Sequence, residues 1–310
     1  MKAIRYHEHG GSDVLKYEEV ERPVPGPGQV LVKVAGGSFN PIDAMIRAGY
    51  VREIFPIPLP IVPGIDFSGT ISEIGPGVEG RQVGDAVVGL LDAGAEGTAA
   101  EYVVAPAAVV AAAPRTVELA DAAALPAGGL TAWQSLFEYT ELQAGQRILI
   151  NGAGGAVGGF AVQLAKAAGA VVTATASERS AERLRSYGAD RIIDHRATPV
   201  TEAEGGPYDI VLNLVRTAPE ATAGLLGLVA DGGVLASTTG PAPEDAARQV
   251  RGVQVFAHGS ADQLGELAAR VDAGTLKVHV AGRRPLADLA AVHGESDAGK
   301  LSGKTVFVPA

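Results

Sequence analysis

A glycine-rich segment, NGAGGAVGGFAVQLAKAAGA at residues 151–170, lies between two short apolar runs, RILI and VVTATA. Gly152, Gly155 and Gly158 stand three residues apart, and no charged residue occurs before Lys166. Glycine lets a chain turn sharply after a strand, and the helix that follows presents unpaired N–H groups and the positive end of its dipole. The segment therefore predicts a strand–turn–helix unit whose turn binds the diphosphate of a dinucleotide.

The spacing departs from the strict G-x-G-x-x-G pattern, because Val157 stands where the third glycine is required. Close packing of helix against strand, without a ligand, is therefore the alternative explanation. In the ligand-binding interpretation, the backbone that contacts the cofactor comprises Gly152, Gly154, Gly155, Ala156, Val157 and Gly158.

From residue 147 onward, short apolar runs alternate with helical stretches: RILI, VVTATA, RIID, YDIVLNLV, GGVLAST and VQVFAHG are the predicted strands. This alternation predicts a doubly wound parallel sheet. Ligands of such sheets lie beyond the carboxyl ends of the strands. Residues at or near those ends are predicted cofactor contacts, although polar strand ends, core packing or a solvated loop would also explain them: His195, Asn213, Leu214, Val215, Ser237 and Phe256.

The second predicted strand ends in VVTATA and is followed by Ser177, Glu178 and Arg179. A serine and an arginine there suit a 2′-phosphate, because a guanidinium matches the geometry of a phosphate. NADPH is therefore the predicted cofactor. Glu178 leaves an alternative open, since an acidic residue at this place binds the ribose hydroxyls of NAD. An ordinary capped first helical turn is the other alternative.

The first third of the chain has a different pattern, with short alternating runs such as VLVKVAG and AEYVVAP between glycines and prolines. Alternation of this kind predicts a small antiparallel barrel or sandwich. The closing run TVFVPA resembles these strands, so the first domain is expected to be discontinuous. The predicted domains are residues 1–116 with 260–310 for the barrel, and residues 117–259 for the doubly wound sheet.

Composition excludes several classes of protein. The chain has no cysteine, which rules out disulfides, a thiolate nucleophile and cysteine-ligated zinc. Its net charge of −10 and the lack of a basic stripe argue against nucleic-acid binding. The uncharged stretch around the glycine turn is dominated by glycine and alanine, so membrane insertion is not expected. A cytoplasmic location is the expectation.

Several motifs in sequence order resemble one family: FNPIDAMIRAGY, VPGIDFSGTISEIGPGV, VGDAVVGL, LPAGGLTAWQSL, NGAGGAVG, YGADRIID and GKTVFV. The chain resembles the zinc-independent quinone oxidoreductase branch of the medium-chain dehydrogenase/reductases over nearly its whole length. The resemblance implies an α/β protein with a GroES-like β-barrel domain and a Rossmann domain. It also implies an NADPH-dependent reductase of quinones or α,β-unsaturated carbonyl compounds.

The zinc enzymes of the wider family have cysteine where Asn40 stands and histidine–glutamate where Ile65 and Asp66 stand. The six histidines of this chain are dispersed, so no metal site is expected. Hydride transfer then depends on the reduced nicotinamide, with the protein supplying position and polarity. No side chain is assigned as the proton donor, and water is the expected source.

The resemblance places four residues near the nicotinamide and substrate: Asn40, Asp43, Tyr50 and Thr131. Asn40 is expected to donate a hydrogen bond from its amide, and Tyr50 offers a hydroxyl on an apolar body to a flat acceptor. Each has an alternative. Asn40 followed by Pro41 suits a turn, Asp43 suits a helix cap, Tyr50 suits packing, and Thr131 suits a bond to its own helix.

Two other functions are left open. An enoyl-thioester or polyketide-type reductase would favour a basic patch, for which the candidates are Arg47, Arg52, Arg283 and Arg284. A non-catalytic NADPH-binding protein would bind the reduced cofactor without consuming it. The expected partners are a small quinone or enone and a second copy of the chain, because the strand around VQVFAHG is a candidate edge for a homodimer.

Overall fold

Apolar runs bounded by glycine or proline form the strands of this protein, and alanine- and leucine-rich stretches form its helices. The computed structural model describes residues 1–310. Its strands are β1 (Lys2–Arg5), β2 (Lys16–Glu19), β3 (Gln29–Ser38), β4 (Asp66–Ile74), β5 (Ala86–Leu90), β6 (Tyr102–Pro106), β7 (Val110–Ala112), β8 (Arg147–Asn151), β9 (Val171–Ala176), β10 (Arg191–Asp194), β11 (Tyr208–Asn213), β12 (Val229–Ser237), β13 (Arg251–Gln254), β14 (Gly282–Pro285) and β15 (Thr305–Val308). Its α-helices are α1 (Pro41–Arg47), α2 (Leu119–Ala122), α3 (Pro126–Gln134), α4 (Ala156–Ala167), α5 (Glu178–Ser186), α6 (Pro219–Gly224), α7 (Ala261–Asp272) and α8 (Leu289–Asp297).

The chain divides into two compact units. The first comprises Met1–Leu130 together with His258–Ala310, and the second comprises Thr131–Ala257. The sequence predicted that the chain leaves the barrel domain after residue 116, whereas its contacts keep it in the first unit until residue 130. Helix α2 explains the difference, because it packs on strands β3 and β4. The chain returns at residue 258, close to the predicted residue 260.

The first unit is built on a largely antiparallel sheet with an apolar interior. Its strand order is β14-β15-β3-β4-β5-β7, β6 also pairs with β3, and β1 and β2 form a separate pair. Alternate residues of a strand face the same side. Val30, Val32 and Val34 of β3 are accordingly all buried in one cluster with Phe67 and Ile71 of β4. The short alternating runs of the sequence therefore form the predicted barrel-like sheet, and the C-terminal run joins it as β15.

Helix α2 lies directly on the backbone of β3. A Cβ atom added to Gly36 would lie 2.4 Å from the carbonyl oxygen of Ala120. The hydroxyl of Ser68 on β4 donates to the same oxygen at 3.4 Å. A side chain at residue 36 would push the helix off the sheet, so glycine at this position is what keeps α2 in the first unit.

The second unit is a parallel sheet with the strand order β10-β9-β8-β11-β12-β13. All five neighbouring pairs run parallel. The chain moves outward from β8 through β9 and β10 and then continues on the other side of β8 with β11. The order therefore reverses between β8 and β11, and ligands of such sheets bind at this switch point, beyond the carboxyl ends of the strands. The prediction of a doubly wound parallel sheet is confirmed.

Two local features differ from the sequence prediction. The last strand was expected at VQVFAHG, whereas β13 covers Arg251–Gln254, so Phe256 follows the strand. The sequence of residues 114–137 indicates two helices that join at Pro126, whereas α3 continues beyond Gln134 as a wide π-helical turn, Ser135–Tyr139. None of the helices combines the length and the apolar character needed to span a bilayer.

Replacing Gly36 with alanine should destabilise the first unit, because the new methyl group would meet a backbone carbonyl, and overpacking of this kind costs about 1–3 kcal/mol. Gly265 in α7 is the matched control, since a Cβ there meets nothing within 4 Å. Gly265→Ala should instead stabilise by about 0.5–1 kcal/mol, because glycine is unfavourable inside a helix. Urea unfolding measures both variants, and shifts of the same sign would contradict the close approach of α2.

Candidate functional site

The glycine-rich segment forms the turn between β8 and α4. Gly155 is the N-cap of α4, and the helix begins at Ala156. Gly152 has a φ of +89°, in the left-handed region that glycine enters without strain. No side chain caps the first turn of this 12-residue helix, so its leading N–H groups have no side-chain acceptor. A dinucleotide diphosphate fits such a turn, because anions bind at helix N-termini.

Packing and ligand binding are divided among the glycines of this turn. A Cβ at Gly158 would lie 2.4 Å from Cα of Ala153, and one at Gly152 would lie 2.7 Å from a methyl group of Val215. These two glycines therefore serve close packing. A Cβ at Gly155 would approach only the carbonyl oxygen of Gly152, at 3.7 Å, and Gly155 is exposed. Its missing side chain leaves the helix N-terminus open to a ligand.

A buried hydrogen-bond network fixes the turn at the switch point of the sheet. The N–H of Gly152 donates to the hydroxyl of Thr175 at 2.8 Å, and that hydroxyl donates to Asn151 at 2.9 Å. The Nδ2 of Asn151 donates to Oδ1 of Asn213 at 2.9 Å. The three side chains come from the carboxyl ends of β8, β9 and β11. Asn151 and Thr175 were not predicted as site residues. The only feature of the sequence that could have indicated them is that each is a polar residue at or near the end of an apolar run.

Asn213 supports this turn. It is fully buried, its Oδ1 also accepts the N–H of Val215, and its Nδ2 donates to the carbonyl of Val215. Both polar atoms of the amide are therefore hydrogen-bonded within the turn, and the predicted contact of Asn213 with the cofactor stays a prediction. Leu214 and Val215 are partly exposed beside Gly152, and their predicted contact with the cofactor stays a prediction.

The two predicted contacts near β12 and β13 lie in different environments. Ser237 is 1% exposed, and its hydroxyl lies 3.4 Å from that of Thr239. Phe256 is 54% exposed, and its carbonyl accepts a hydrogen bond from the hydroxyl of Tyr139 at 3.1 Å. The exposed ring rules out core packing as the explanation of Phe256.

The end of β9 brings together the residues predicted to select the nucleotide. Ser177 is the N-cap of α5, and its side chain makes no capping hydrogen bond. Arg179 lies exposed in the first turn of that helix. His195 follows β10, where its backbone N–H lies 3.4 Å from the carbonyl of Ala176. The three predicted residues therefore surround one strand end.

Arg183, which sequence reasoning also missed, links α5 to the glycine turn. Its Nη2 donates to the carbonyl of Gly154 at 2.8 Å. A Cβ at Gly154 would lie 2.7 Å from the hydroxyl of Ser180 on the same helix. The guanidinium therefore adds positive charge beside the turn. The position of Arg183 one helical turn after Arg179 is the feature of the sequence that could have indicated this role.

The first unit contains a buried cluster of charged and polar groups around Asp66. Asp66 is 0% exposed, and its Oδ1 accepts the N–H of Ala127 at 2.6 Å. Its Oδ2 accepts from three side chains, the Lys304 ammonium at 2.8 Å, the Asn40 amide at 2.9 Å and the Ser38 hydroxyl at 2.5 Å. Lys304 is 4% exposed and donates to Oδ1 of Asn40 at 2.6 Å. The two buried charges are thus paired and hydrogen-bonded, which is the condition for burying them.

Asn40 is committed to this cluster. Its Nδ2 donates to Asp66 and, at 3.3 Å, to the carbonyl of Ser38. Both amide hydrogens therefore have protein acceptors. The sequence predicted that this amide donates to the substrate, and the structure corrects that role: Asn40 orients Lys304 and Asp66.

Asp43 completes a capping box at the start of α1. The N–H of Asn40 donates to Oδ2 of Asp43 at 2.8 Å, so the helix-cap alternative is realised. Burial raises the pKa of Asp43 from 3.8 to about 7. The hydrogen bond from the Asn40 N–H lowers this pKa, the negative charge of Asp66 raises it, and the positive charge of Lys304 lowers it. Folding thus raises this pKa. The stability that depends on Asp43 is fully present below the unfolded value of 3.8 and is lost as the pH rises through about 7.

Asp43 also lines a recess within the first unit. The empty volume of this recess, counted out to solvent, is about 260 Å³. Its other walls are mainly apolar, with Ile46, Ile57 and Ile65 among them, and Tyr6 contributes a phenol. Burial, followed by the charge of Asp43, raises the pKa of Tyr6 to about 12. The tyrosine therefore stays protonated at physiological pH.

The other two predicted catalytic residues are more exposed. Tyr50 is 75% exposed, which excludes packing as the role of its ring, and it takes no part in the hydrogen bonds of the Asp66 cluster. Thr131 lies in α3 at the start of the second unit and is partly exposed. Its carbonyl accepts a hydrogen bond from Ser135 Oγ at 2.6 Å.

Comparison with known proteins decides the family. Residues 26–115 match the alcohol dehydrogenase GroES-like domain, and residues 187–307 match the zinc-binding dehydrogenase family. The chain is 38% identical over 232 residues to the chloroplastic quinone-oxidoreductase homolog of Spinacia oleracea, which covers 72% of this chain and 70% of the relative. It is 33% identical over 321 residues to the chloroplastic NADPH-dependent alkenal/one oxidoreductase of Arabidopsis thaliana, which covers 100% of this chain and 80% of the relative.

The solved structure of the quinone oxidoreductase from Coxiella burnetii is similar with a TM-score of 0.89, at 29% identity and 99% coverage of both chains. The chain belongs to the medium-chain dehydrogenase/reductase family. This membership confirms the predicted fold class, a GroES-like barrel domain with a Rossmann domain, and an oxidoreductase activity that depends on a nicotinamide cofactor. Within the family, the chain lies in the quinone oxidoreductase branch.

The positions of the family's zinc ligands have a different chemistry here. Where the zinc enzymes of this medium-chain family carry cysteine and histidine–glutamate, this chain has Asn40 and Ile65–Asp66. The ammonium of Lys304 binds both Asn40 and Asp66. A cation of the chain itself thus bridges the two positions. The structure gathers no group of three or more histidine, aspartate or glutamate side chains that could hold a metal ion.

Replacing Lys304 with methionine should destabilise the protein by about 3–5 kcal/mol, because it leaves the carboxylate of Asp66 buried without its cation. Lys300→Met is the matched control, since Lys300 is exposed and only four positions earlier in the chain. The free energy of unfolding in urea measures both. A Lys304→Met protein as stable as the control would show that the buried pair is not needed for the barrel.

Proposed function

We propose that the protein is an NADPH-dependent reductase that transfers hydride to quinones or α,β-unsaturated carbonyl compounds without a metal. The observation that carries this proposal is the uncapped N-terminus of α4 at Gly155, at the switch point of the parallel sheet. The names of the relatives support the acceptor class, since one is a quinone-oxidoreductase homolog and another an alkenal/one oxidoreductase.

The residues that would hold the dinucleotide follow from the geometry of the second unit. The backbone from Gly154 to Val157 would bind the diphosphate, with the network of Asn151, Thr175 and Asn213 holding the turn in place. The nicotinamide, when bound in its reduced form, supplies the hydride. Leu214 and Val215 would form an apolar wall beside the turn.

Ser177 and Arg179 would bind the 2′-phosphate that distinguishes NADPH from NADH. The hydroxyl of Ser177 is not used as a helix cap, and Arg179 is exposed next to it. Charge-assisted bonds from a guanidinium to a phosphate are among the strong hydrogen bonds of proteins. The relative from Arabidopsis thaliana is named as NADPH-dependent, which favours the same cofactor.

The other predicted site residues would contact the acceptor, contact the dinucleotide, or position other side chains. Tyr50 would contact the flat acceptor, because its ring is exposed. Thr131 would contact the nicotinamide, and Phe256 and His195 would lie against other parts of the dinucleotide. Asn40 acts as a positioning residue through Lys304 and Asp66.

Of the four arginines predicted for a basic patch, Arg52 and Arg284 are exposed, whereas the other two are paired with carboxylates. Arg47 is 2% exposed and pairs with Asp297 at 2.7 Å. Arg283 is paired with Asp121 through two hydrogen bonds of 2.7 Å. A small quinone or enone is the proposed acceptor, and an enoyl thioester is the alternative substrate that the assay includes.

We also propose a homodimer formed through the edge of the parallel sheet. Strand β13 pairs with β12 on one side and ends the strand order, so its other side carries unpaired backbone groups. Edge strands of this kind pair readily with a second copy around a two-fold axis.

The proposed activity is tested by following NADPH oxidation with a panel of quinones, enones and enoyl thioesters, with NADH and a metal chelator as controls. Quinones or enones should be reduced at a rate that chelation leaves unchanged. Loss of activity on chelation, or activity only with an alcohol and NAD, would contradict the proposal. Tight NADPH binding without oxidation by any acceptor would favour a non-catalytic binding protein.

Replacing Arg179 with alanine should weaken NADPH binding by about 10–100-fold, the equivalent of one charge-assisted hydrogen bond of about 1.5–3 kcal/mol. NADH binding should change little, because NADH has no 2′-phosphate. Arg185→Ala is the matched control, an exposed arginine near the other end of α5. Fluorescence titration with both dinucleotides measures the constants, and an equal loss for NADH would remove Arg179 from cofactor selection.

A further inference from the structure

We infer that the carboxyl group of Asp43, in the apolar recess beside Tyr6, donates the proton that completes the reduction of the acceptor. This inference rests on the proposed function and adds to it the group that the sequence left unassigned. It is carried by the charge count of the Asp66 cluster, by the lining of the recess and by the hydrogen bond that holds Asp43.

The count of buried charges favours a proton on one carboxyl group, because the other buried cation of α1, Arg47, is already paired with Asp297 at 2.7 Å. The cluster contains one cation, Lys304, and two carboxyl groups, Asp66 and Asp43, all less than 5% exposed. Asp66 accepts four hydrogen bonds, one of them from the ammonium. The ammonium of Lys304 therefore balances the charge of Asp66. The proton therefore belongs to Asp43, which has no cation bound to it.

Asp43 is held through one of its two carboxyl oxygens, and its side chain lines the recess. Its Oδ2 accepts the N–H of Asn40 at 2.8 Å, and this bond fixes the carboxyl group at the start of α1. The recess that it lines is walled mainly by aliphatic side chains. An apolar wall stabilises the neutral acid relative to the carboxylate, which is the state from which a proton is donated.

Every charged group near Asp43 acts on its proton affinity in a known direction. Burial and the charge of Asp66 raise the pKa of Asp43 to about 7, while the N–H of Asn40 and the ammonium of Lys304 lower it. Across the recess, Tyr6 is held neutral, with its pKa at about 12 under the influence of burial, Asp43, Arg47 and Glu96. A donor with a pKa near 7 suits general acid catalysis at neutral pH, whereas Tyr6 is limited to a hydrogen bond.

The step balances with a nicotinamide dinucleotide as the hydride source. An enone that accepts hydride at its β-carbon loses its C=C π bond, and the electron pair moves to form an enolate. The O–H bond of Asp43 breaks as its proton forms the new C–H or O–H bond of the product. Asp43 is left as a carboxylate and regains a proton from water at the open side of the recess, and the dinucleotide leaves in its oxidised form.

The acceptors should differ in how much they need this acid. An enolate is strongly basic, so its formation gains from a proton delivered in the transition state. The anion of a hydroquinone is much less basic and is released without such help. A proton donor therefore predicts a large effect of Asp43 on enones and a small effect on quinones, and a purely structural role does not predict this split.

The test compares Asp43→Asn with the wild type on one enone and one quinone, both with NADPH. The asparagine keeps an oxygen that accepts the N–H of Asn40, so the capping box is preserved while the acid is removed. Asp85→Asn is the matched control, because Asp85 accepts the N–H of Gln82 at 2.9 Å in the same i to i+3 arrangement but away from the recess. For Asp43→Asn, kcat/KM for the enone should fall about 10²–10⁴-fold and that for the quinone much less.

The wild type supplies two further measurements that need no variant. Its enone kcat/KM should fall about tenfold per pH unit above pH 7, as Asp43 loses its proton. Infrared difference spectra during a pH titration should show a carboxylic acid band that disappears near pH 7 and is missing in Asp43→Asn. Carbon labelling of aspartate shows whether the band belongs to an aspartate or to a glutamate.

The outcomes separate this inference from the proposed function. If no quinone or enone supports NADPH oxidation, the proposed function fails and the proton donor fails with it. If acceptors are reduced but Asp43→Asn equals the Asp85→Asn control on the enone, only the proton donor is overturned. An equal loss on enone and quinone, or a carboxylate that persists below pH 6, also overturns it.

Discussion

The barrel unit depends on the carboxylate of Asp66 accepting hydrogen bonds from three separate parts of the chain: the junction of β3 and α1, helix α3, and the residue before β15. Ser38 ends β3, Asn40 precedes α1, Ala127 lies in α3, and Lys304 precedes β15. Burying an unpaired carboxylate costs several kcal/mol, so the unit can form only when all these segments meet. One side chain thereby ties the C-terminal strand to the first half of the sequence and makes a discontinuous domain stable.

The same cluster shows why the sequence predicted the fold better than the site. Strands and helices follow from apolar periodicity, which is local, and the runs RILI, VVTATA and YDIVLNLV all became neighbouring parallel strands. The role of Asn40 is not local, because it depends on Lys304, which lies 264 positions away in the sequence. Reasoning from residue chemistry gave Asn40 a free amide, and only the folded chain shows that the amide is already used.

The glycine turn illustrates a second limit of sequence reasoning. A glycine has one signal in a sequence but two uses in a structure, close packing and the approach of a ligand. Gly158 and Gly152 are required by the backbone of Ala153 and the side chain of Val215, whereas Gly155 has open space around its Cα. This division explains why the glycine spacing departs from the strict G-x-G-x-x-G pattern. Gly158 is required by the close packing of α4 against Ala153 and not by the diphosphate.

In the proposed metal-free reaction, the charge that develops on the acceptor oxygen must be stabilised by the protein itself. Lys304 is the obvious candidate by position, since it bridges Asn40 and Asp66, but its charge is already neutralised by a carboxylate 2.8 Å away. An ion pair of this kind presents little net field to a third group. A neutral acid is different, because it can transfer a whole charge at the moment of reaction and be restored by water. In this cluster the ion pair is the support, and its excess carboxyl group, Asp43, is the part left free for chemistry.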